Sequence, residues 1–249
     1  MSGHSKWAQI KRQKGVADTK RGQLFTKLGR ELSVAAREGG PDPDLNARLR
    51  LAVQKARESN MPMDNIERAI KKGSEKGDGA NLEEIVYEGY GPSGAALFVE
   101  ALSDNRNRSV AEIRNVFTRA GGSLGESGCV AWLFDQRGVI TVDAAEVDPE
   151  EVALQAIDSG ADDVQVADGV VEVYTAPSNL EDLRKSLEGQ GVPIDSAEVS
   201  MIPKTALELE EKEALSVLRL VDRLEDLDDV QRVYTNVDFS AEVIEKYES

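Results

Sequence analysis

The sequence has little of the chemistry that enzymes and metal sites use: its 249 residues include one cysteine, Cys129, and one histidine, His4. A single cysteine excludes an internal disulfide and fits a reducing compartment. The usual zinc site needs three or four His or Cys ligands. A Cys–His pair is disfavoured, because His4 belongs to a basic segment and Cys129 has the glycine-flanked setting of a small buried side chain. We therefore expect a cytoplasmic, non-enzymatic protein that uses no metal or cofactor.

Long apolar stretches are also missing. No run approaches the roughly 20 residues that span a bilayer, so no membrane contact is expected. A hydrophobic content of 40% and a charged content of 31% are typical of a folded, soluble protein. The length is sufficient for two or three domains, each with its own core.

Positive charge is scarce over most of the chain and concentrated at its start. The formal net charge is −16, but residues 1–76 hold 17 basic and 9 acidic side chains, a net of +8. Residues 77–249 hold 13 basic and 37 acidic side chains, a net of −24. This division predicts a basic head that is attracted to a polyanion and an acidic body that is repelled by it. The alternative is a solvated basic head without a partner.

The head has the periodicity of helices. Residues 16–38 predict an amphipathic helix, with Lys27, Arg30 and Arg37 on the side opposite its apolar stripe. Two more helices are predicted, over 44–59 and from Pro62 to Gly73. The apolar stripe of the first helix consists of Leu24, Phe25, Leu28, Leu32, Ala35 and Ala36.

Beyond a Gly-rich polar linker at 73–81, short strands alternate with helices, which predicts an α+β fold. Residues 138–203 have the order βαββαβ of a ferredoxin-like unit. The flanking strands and helices, including strands at 95–102 and 130–134, predict a second unit of this kind that the first one interrupts. The predicted domains are therefore a helical head (1–76), a middle α+β domain (82–135 plus 204–249) and an inserted ferredoxin-like domain (138–203).

Two patterns that resemble catalytic or cofactor sites are better explained by structure. Gly89–Gly94 matches G-x-G-x-x-G, but Pro92 interrupts it and a strand follows, so we interpret it as a hairpin turn and not a dinucleotide site. Paired carboxylates such as Glu150 and Glu151 fall in turns, edge strands and first helical turns, where they are expected as caps and solvated groups. No catalytic residues are predicted.

The candidate contacts to nucleic acid are the cations of the head, because Lys and Arg neutralise phosphates and release counterions. Trp7 is either a stacking surface for an unpaired base or a plug that docks the N-terminal arm. Arg106 and Arg108 open a predicted helix and form either a second anion contact or an ordinary helix start, with Asp104 or Asn105 as the cap. The residues of the head assigned to nucleic-acid binding are His4, Lys6, Trp7, Lys11, Arg12, Lys14, Lys20, Arg21, Lys27 and Arg30.

Several stretches together resemble the YebC/PmpR family over essentially the whole chain. They are Gly3-His-Ser-Lys-Trp7, Lys20-Arg-Gly, Leu24-Phe-Thr-Lys-Leu-Gly-Arg-Glu31, Ala35-Ala-Arg-Glu-Gly-Gly40, Asn60-Met-Pro, Asn65-Ile-Glu-Arg-Ala-Ile-Lys-Lys-Gly73, Tyr87-Glu-Gly-Tyr-Gly-Pro92, Asp104-Asn-Arg-Asn-Arg108, Gly121-Gly-Ser-Leu-Gly125 and Asp228-Asp-Val-Gln with Val-Tyr-Thr-Asn236. The resemblance implies a helical head, two α+β lobes and no catalytic residues. Members of this family are described as DNA-binding transcriptional regulators or as translation factors that act at the ribosome.

The leading hypothesis is a non-enzymatic regulator of gene expression whose basic head binds DNA, or ribosomal or messenger RNA. The acidic body favours docking beside basic proteins, as on a ribosome, over wrapping long duplex DNA. This favours RNA, since the head contains no groove-reading motif. The alternative from another class is a small-molecule sensor with an apolar pocket between the two lobes.

Overall fold

The computed structural model describes residues 21–75, 82–145, 147–167 and 169–248, which form helices and mixed sheets in two compact units. The helices are α1 (Arg21–Gly39), α2 (Ala47–Glu58), α3 (Met63–Ser74), α4 (Arg106–Arg119), α5 (Pro149–Asp158), α6 (Leu180–Gly189), α7 (Glu211–Glu225) and α8 (Ala241–Glu248). The strands are β1 (Glu83–Tyr90), β2 (Ala96–Ser103), β3 (Ser123–Leu124), β4 (Phe134–Asp143), β5 (Asp163–Ala167), β6 (Val170–Thr175), β7 (Ile194–Pro203), β8 (Leu207–Glu208), β9 (Val230–Thr235) and β10 (Val237–Asp238). The predicted α+β class is confirmed.

The two units divide the chain differently from the predicted domains. One, the helix–sheet unit, contains residues 21–129 and Ser216–Val233. The other, the ferredoxin-like unit, contains Val130–Leu215 and residues 234–248. The three-domain division stays a prediction, and residues 76–81 of its linker lie outside the described residues.

The helices α1, α2 and α3 share one small apolar core in the helix–sheet unit. The predicted stripe of α1 supplies Leu28, Leu32, Ala35 and Ala36, all buried, while Leu24 and Phe25 pack against the same core and are half-buried. The start of α2 is set by Asn46, whose side-chain oxygen accepts a hydrogen bond from Leu49 N at 3.1 Å. The Asn46 amide also donates to the carbonyl oxygens of Ala35 and Gly40, which ties the end of α1 to the start of α2.

The closest approach between α1 and α3 requires a glycine. A Cβ on Gly73 would lie 2.0 Å from the carbonyl oxygen of Ser33. The Ser33 hydroxyl also donates to Ala69 O at 2.8 Å, which holds the same two helices together. The C-terminal end of α3 therefore packs backbone against backbone.

The helix–sheet unit also contains a four-stranded sheet in the order β3-β1-β2-β9. Strands β1 and β2 are antiparallel, with Glu83 opposite Ser103 and Tyr90 opposite Ala96. The Gly89–Gly94 segment closes this hairpin with a 3₁₀ turn at Pro92–Gly94. Its interpretation as a hairpin turn, and not a dinucleotide loop, is confirmed. Helix α4 contacts β1 and β3 and buries Ile113 and Phe117.

The ferredoxin-like unit has the predicted order of elements. Its sheet runs β5-β6-β4-β7, and α5 and α6 connect its strands in the βαββαβ order. Strand β4 pairs antiparallel with both β6 and β7, so the first strand of the pattern lies at the centre of the sheet. Strands β8 and β10 form a separate parallel pair.

The predicted strand over 130–134 is wrong. Residues Ala131–Leu133 form a 3₁₀ turn, and one ten-residue strand, β4, then runs from Phe134 to Asp143. The inserted unit was predicted to begin with a separate strand at Gly138, but residues 135–138 belong to the same strand as Phe134. A Cβ at this glycine would lie 3.0 Å from side-chain atoms of Leu180 and Thr175, so its small size lets α6 pack closely on the sheet.

Cys129 is half-buried, and the prediction of a buried side chain is wrong in that respect. Burial and the charge of Glu88 raise the pKa of its thiol, which opposes a role as a nucleophile.

Among the described residues, no helix is both long and apolar enough to cross a membrane.

Replacing Gly73 with Ala should lower the free energy of unfolding by about 2 kcal/mol, because the new methyl group overlaps the backbone of α1. Thermal unfolding followed by far-UV circular dichroism measures this change. The matched control is Gly22→Ala, where the added methyl group meets no atom within 4 Å. That control should raise stability by about 0.5 kcal/mol through helix propensity. Equal effects of the two substitutions would contradict the close contact between helices.

Candidate nucleic-acid interface

The structure describes five of the twelve predicted contact residues: Arg21, Lys27, Arg30, Arg106 and Arg108. The other seven lie outside the described residues: His4, Lys6, Trp7, Lys11, Arg12, Lys14 and Lys20. Arg21 is exposed at the first position of α1.

The cations in the middle of α1 contact the rest of the helix–sheet unit. Lys27 Nζ donates to the carbonyl oxygen of Glu225, the last residue of α7. A cation is favourable at that position, because the final carbonyls of a helix lack intrahelical donors. Arg37, further along the same side of α1, donates to Leu82 O at 2.6 Å. The basic side of α1 therefore makes hydrogen bonds to other segments of the same unit.

Arg30 makes the most extensive of these contacts. Its Nη1 donates to Asp229 Oδ1 at 2.8 Å and to the carbonyl oxygens of Leu102 and Asp228. Only 23% of its side chain is exposed. The predicted role of Lys27 and Arg30 in nucleic-acid binding stays a prediction, but in this structure both side chains already have intramolecular acceptors.

Asp229 lies at the centre of a network that joins α1, β2, α4 and the segment before β9. Its carboxylate is only 4% exposed. Besides Arg30, three side chains donate to it: Ser103 Oγ at 2.9 Å, Ser109 Oγ at 2.6 Å and Arg108 Nη2 at 2.8 Å. Its own carbonyl accepts from Leu102 N at 2.8 Å. Both carboxylate oxygens and the backbone carbonyl oxygen of Asp229 therefore accept hydrogen bonds.

The electrostatics of Asp229 favour the ionised carboxylate. Burial raises its pKa, but the hydrogen bonds from Ser109, Arg108, Ser103 and Arg30 outweigh burial and lower the pKa to about 2. A buried carboxylate with two arginines and two hydroxyls has the partners that make burial of a charge tolerable.

A second charged cluster surrounds Arg48 of α2. Its guanidinium contacts Glu31 at 2.9 Å, Glu38 at 2.6 Å and also Glu84 of β1. Burial lowers the pKa of Arg48, but the hydrogen bonds and charges of Glu31 and Glu84 raise it above the ordinary value. This cation of the head therefore also links helices to the sheet.

The start of α4 shows which residue caps the helix. Asn105 is the N-cap, and its side-chain oxygen accepts from Arg108 N at 3.1 Å. The Arg108 side chain pairs with Asp104 at 2.8 Å and with Asp229. Arg106 is exposed, and its role as a second anion contact stays a prediction.

A cleft of about 540 Å³ opens above this network in the helix–sheet unit. It is lined by Gln23, Arg30, Asp104, Arg108, Glu112, Asp226, Leu227, Asp228 and Asp229. Five carboxylates line it against two arginines that already contact Asp229, so its charge disfavours a phosphate.

No group of three or more His, Cys, Asp or Glu side chains with the arrangement of a metal site occurs in the described parts of the chain.

Sequence reasoning identified Arg30 and Arg108 as important cations but missed their shared partner. Asp228 and Asp229 belong to one of the stretches that resemble the YebC/PmpR family, but the neighbouring sequence does not indicate that Asp229 is buried. Arg48 was missed entirely, because one arginine on a predicted helix carries no signal for its distant glutamates.

The depressed pKa of Asp229 makes stability depend on pH in the acid range. The pKa rises from about 2 in the folded chain to about 3.8 in the unfolded chain. The stabilisation is therefore complete above about pH 5 and is lost as pH falls from about 4 to about 2, by about 2 kcal/mol in all. Urea unfolding at several pH values should show this loss, and the loss should be smaller in Asp229→Asn.

At neutral pH, Asp229→Asn should lower the free energy of unfolding by about 3 kcal/mol, because the buried side chain loses its charge while Arg30 and Arg108 keep theirs. The neighbouring Asp228→Asn is the control, since Asp228 is exposed and its change should stay within about 0.5 kcal/mol. Chemical denaturation of both variants measures the difference. Similar stability of the two would mean that the buried network contributes little.

Comparison with known proteins covers nearly the whole chain. Residues 5–76 match a model of the TACO1/YebC protein N-terminal domain, and residues 82–237 match a model of the TACO1/YebC second and third domain. A probable transcriptional regulatory protein of Dehalococcoides mccartyi is 57% identical over 249 residues, covering 100% of this chain and 99% of its own. Another of that name, from Chloroflexus aurantiacus, is 54% identical over 252 residues and covers 100% of both chains. The crystal structure of a conserved hypothetical protein from Aquifex aeolicus matches with a TM-score of 0.83 and 48% identity, over 90% of this chain and 93% of that one. The chain belongs to the TACO1/YebC family.

Proposed function

We propose that the protein is a non-enzymatic, cytoplasmic regulator of gene expression that binds nucleic acid through the basic residues at the start of its chain. The observation that carries this proposal is the division of charge. Residues 1–20 contain five basic and one acidic side chain, a net of +4, while the remaining residues sum to −20. Such a division attracts a polyanion to one end of the molecule.

The contacts of the head narrow the proposed interface. Lys27, Arg30 and Arg48 donate to acceptors within the helix–sheet unit. Cations with such partners contribute less to phosphate binding, because each must first lose an existing interaction. The proposed contacts are mainly Lys6, Lys11, Arg12, Lys14 and Lys20, together with His4, Trp7 and Arg21, of which Arg21 is exposed at the start of α1.

The names of the relatives support a regulatory role, because two proteins that match this chain from end to end are named probable transcriptional regulatory proteins. The acidic body favours a target on which basic proteins accompany the nucleic acid. We therefore favour RNA, in the setting of a ribosome or another ribonucleoprotein, over long duplex DNA. Sequence-specific binding of duplex DNA at physiological salt would contradict this preference.

The sensor alternative predicts an apolar pocket between the two α+β lobes. The cleft described above lies within the helix–sheet unit and is lined largely by charged side chains, so it is not such a pocket. Thermal-shift screening against metabolites separates the sensor from the nucleic-acid binder.

The test is a variant in which glutamine replaces four residues at once: Lys6, Lys11, Arg12 and Lys14. This variant should bind single-stranded RNA much more weakly, and its affinity should depend less on salt. Each lost phosphate contact lowers the slope of log K against log salt by about 0.7, so four contacts lower it by about 3. Fluorescence anisotropy with a labelled oligonucleotide at several salt concentrations gives both quantities. Duplex DNA and purified ribosomal particles, tested at matched salt, identify the favoured target.

The matched control neutralises four cations elsewhere in the head: Arg57, Arg68, Lys71 and Lys72, all exposed. It changes the net charge equally and should leave the affinity within about twofold. Equal losses in both variants would indicate a general effect of net charge, and retained binding in the first variant would place the interface elsewhere.

A further inference from the structure

The outer face of α5 in the ferredoxin-like unit exposes large apolar side chains. Leu154 is 64% exposed and Ile157 is 56% exposed. On the same helix, Val152 and Ala156 are buried. At 100° per residue, Leu154 and Ile157 lie about 60° apart and roughly opposite those two buried residues. The helix is therefore apolar on both faces, although only one of them contacts the sheet.

The neighbouring edge of the sheet has the same character. Strand β5 is the edge strand next to α5, and its Val166 is 49% exposed. Val166 pairs with Val171 of β6. An exposed valine on an edge strand, beside a helix that exposes a leucine and an isoleucine, is the type of surface that binds a partner.

Charge indicates what kind of partner fits. The 46 residues from Gly138 to Leu183 contain no Lys or Arg and twelve Asp or Glu. Helix α5 begins with Glu150 and Glu151 and ends with Asp158, and Asp162 and Asp163 precede or open β5. An apolar patch with this border repels nucleic acid and anionic membranes, and a second copy would bring carboxylates against carboxylates.

We propose that the outer face of α5 and the edge of β5 form a docking site for a Lys/Arg-rich polypeptide segment that also carries apolar side chains. The apolar side chains cover Leu154, Ile157 and Val166. The cations pair with the acidic side chains around them, chiefly Glu150 and Asp158. Burial of the apolar groups supplies affinity, and the charges select a basic partner over an acidic one. This site is independent of the proposed nucleic-acid interface.

The test uses a fluorescein-labelled peptide of Leu-Lys-Lys-Leu repeats and the full chain, with affinity measured by anisotropy. Leu154→Ser/Ile157→Ser should weaken binding by at least about tenfold, because it removes the apolar centre of the site. Glu150→Lys/Asp158→Lys should weaken it by about tenfold and reduce its salt dependence. Val166→Thr, an edge-strand change of similar size, should also weaken it. A Ser-Lys-Lys-Ser peptide and a Leu-Glu-Glu-Leu peptide should bind poorly to the unaltered chain.

The controls are Leu45→Ser, which removes the 85% exposed leucine of the helix–sheet unit, and Asp182→Lys on α6, an exposed acid outside the patch. Both should leave peptide affinity within about twofold. The proposal is overturned if the peptide binds all variants equally, if it does not bind the unaltered chain, or if sedimentation shows self-association that Leu154→Ser/Ile157→Ser removes.

The same variants separate the two proposals. RNA binding should be unchanged in Leu154→Ser/Ile157→Ser, and peptide binding should be unchanged when Lys6, Lys11, Arg12 and Lys14 are neutralised. Loss of RNA binding in the α5 variant would contradict the independence of the docking site.

Discussion

The buried carboxylate of Asp229 is the constraint on which the helix–sheet unit depends. Its donors come from α1, β2 and α4, elements separated by as many as 199 positions from Asp229. A carboxylate at this depth requires full pairing, because an unpaired buried charge costs several kcal/mol. The three donor segments must therefore be placed together for the unit to be stable. The head helices are thereby joined to the sheet by a charged network in addition to their apolar contacts.

This arrangement determines which positive charges of the head are available to a ligand. An amphipathic helix with a basic side is usually interpreted as a binding surface, but the basic side of α1 contacts other parts of the helix–sheet unit. Lys27 and Arg37 donate to carbonyl oxygens, which carry only partial charges. Arg30 donates to two carbonyl oxygens and also to the ionised carboxylate of Asp229. Under the proposed function, attraction of a polyanion depends mainly on residues 1–20, whose sequence contains five cations and one acid.

Local patterns predicted most of the fold, because amphipathic periodicity and strand–helix alternation depend on neighbouring residues. The buried positions of α1 and the βαββαβ order followed from such patterns. Two features did not. Strand β4 passes through Gly138 beneath Leu180, where a Cβ would lie 3.0 Å from that side chain, and the hydrogen bonds of the arginines to Asp229 span 121 and 199 positions of the sequence. A pattern along the sequence does not encode which distant acid a given arginine will reach.

The opposite net charges of residues 1–20 and of the remaining residues have a further consequence for any complex that contains both nucleic acid and basic proteins. A polyanion alone attracts residues 1–20 and repels the acidic remainder, which limits the contact area. A ribonucleoprotein surface offers phosphates and cationic side chains side by side, so both ends of the chain then contribute favourably. In such a complex each of the two proposed contacts would be weakened by salt, and because they are linked in one chain, their combined affinity would exceed that of either alone. The apolar centre of the α5 surface would retain affinity at ionic strengths that screen the charges, because burial of apolar area does not depend on counterion release.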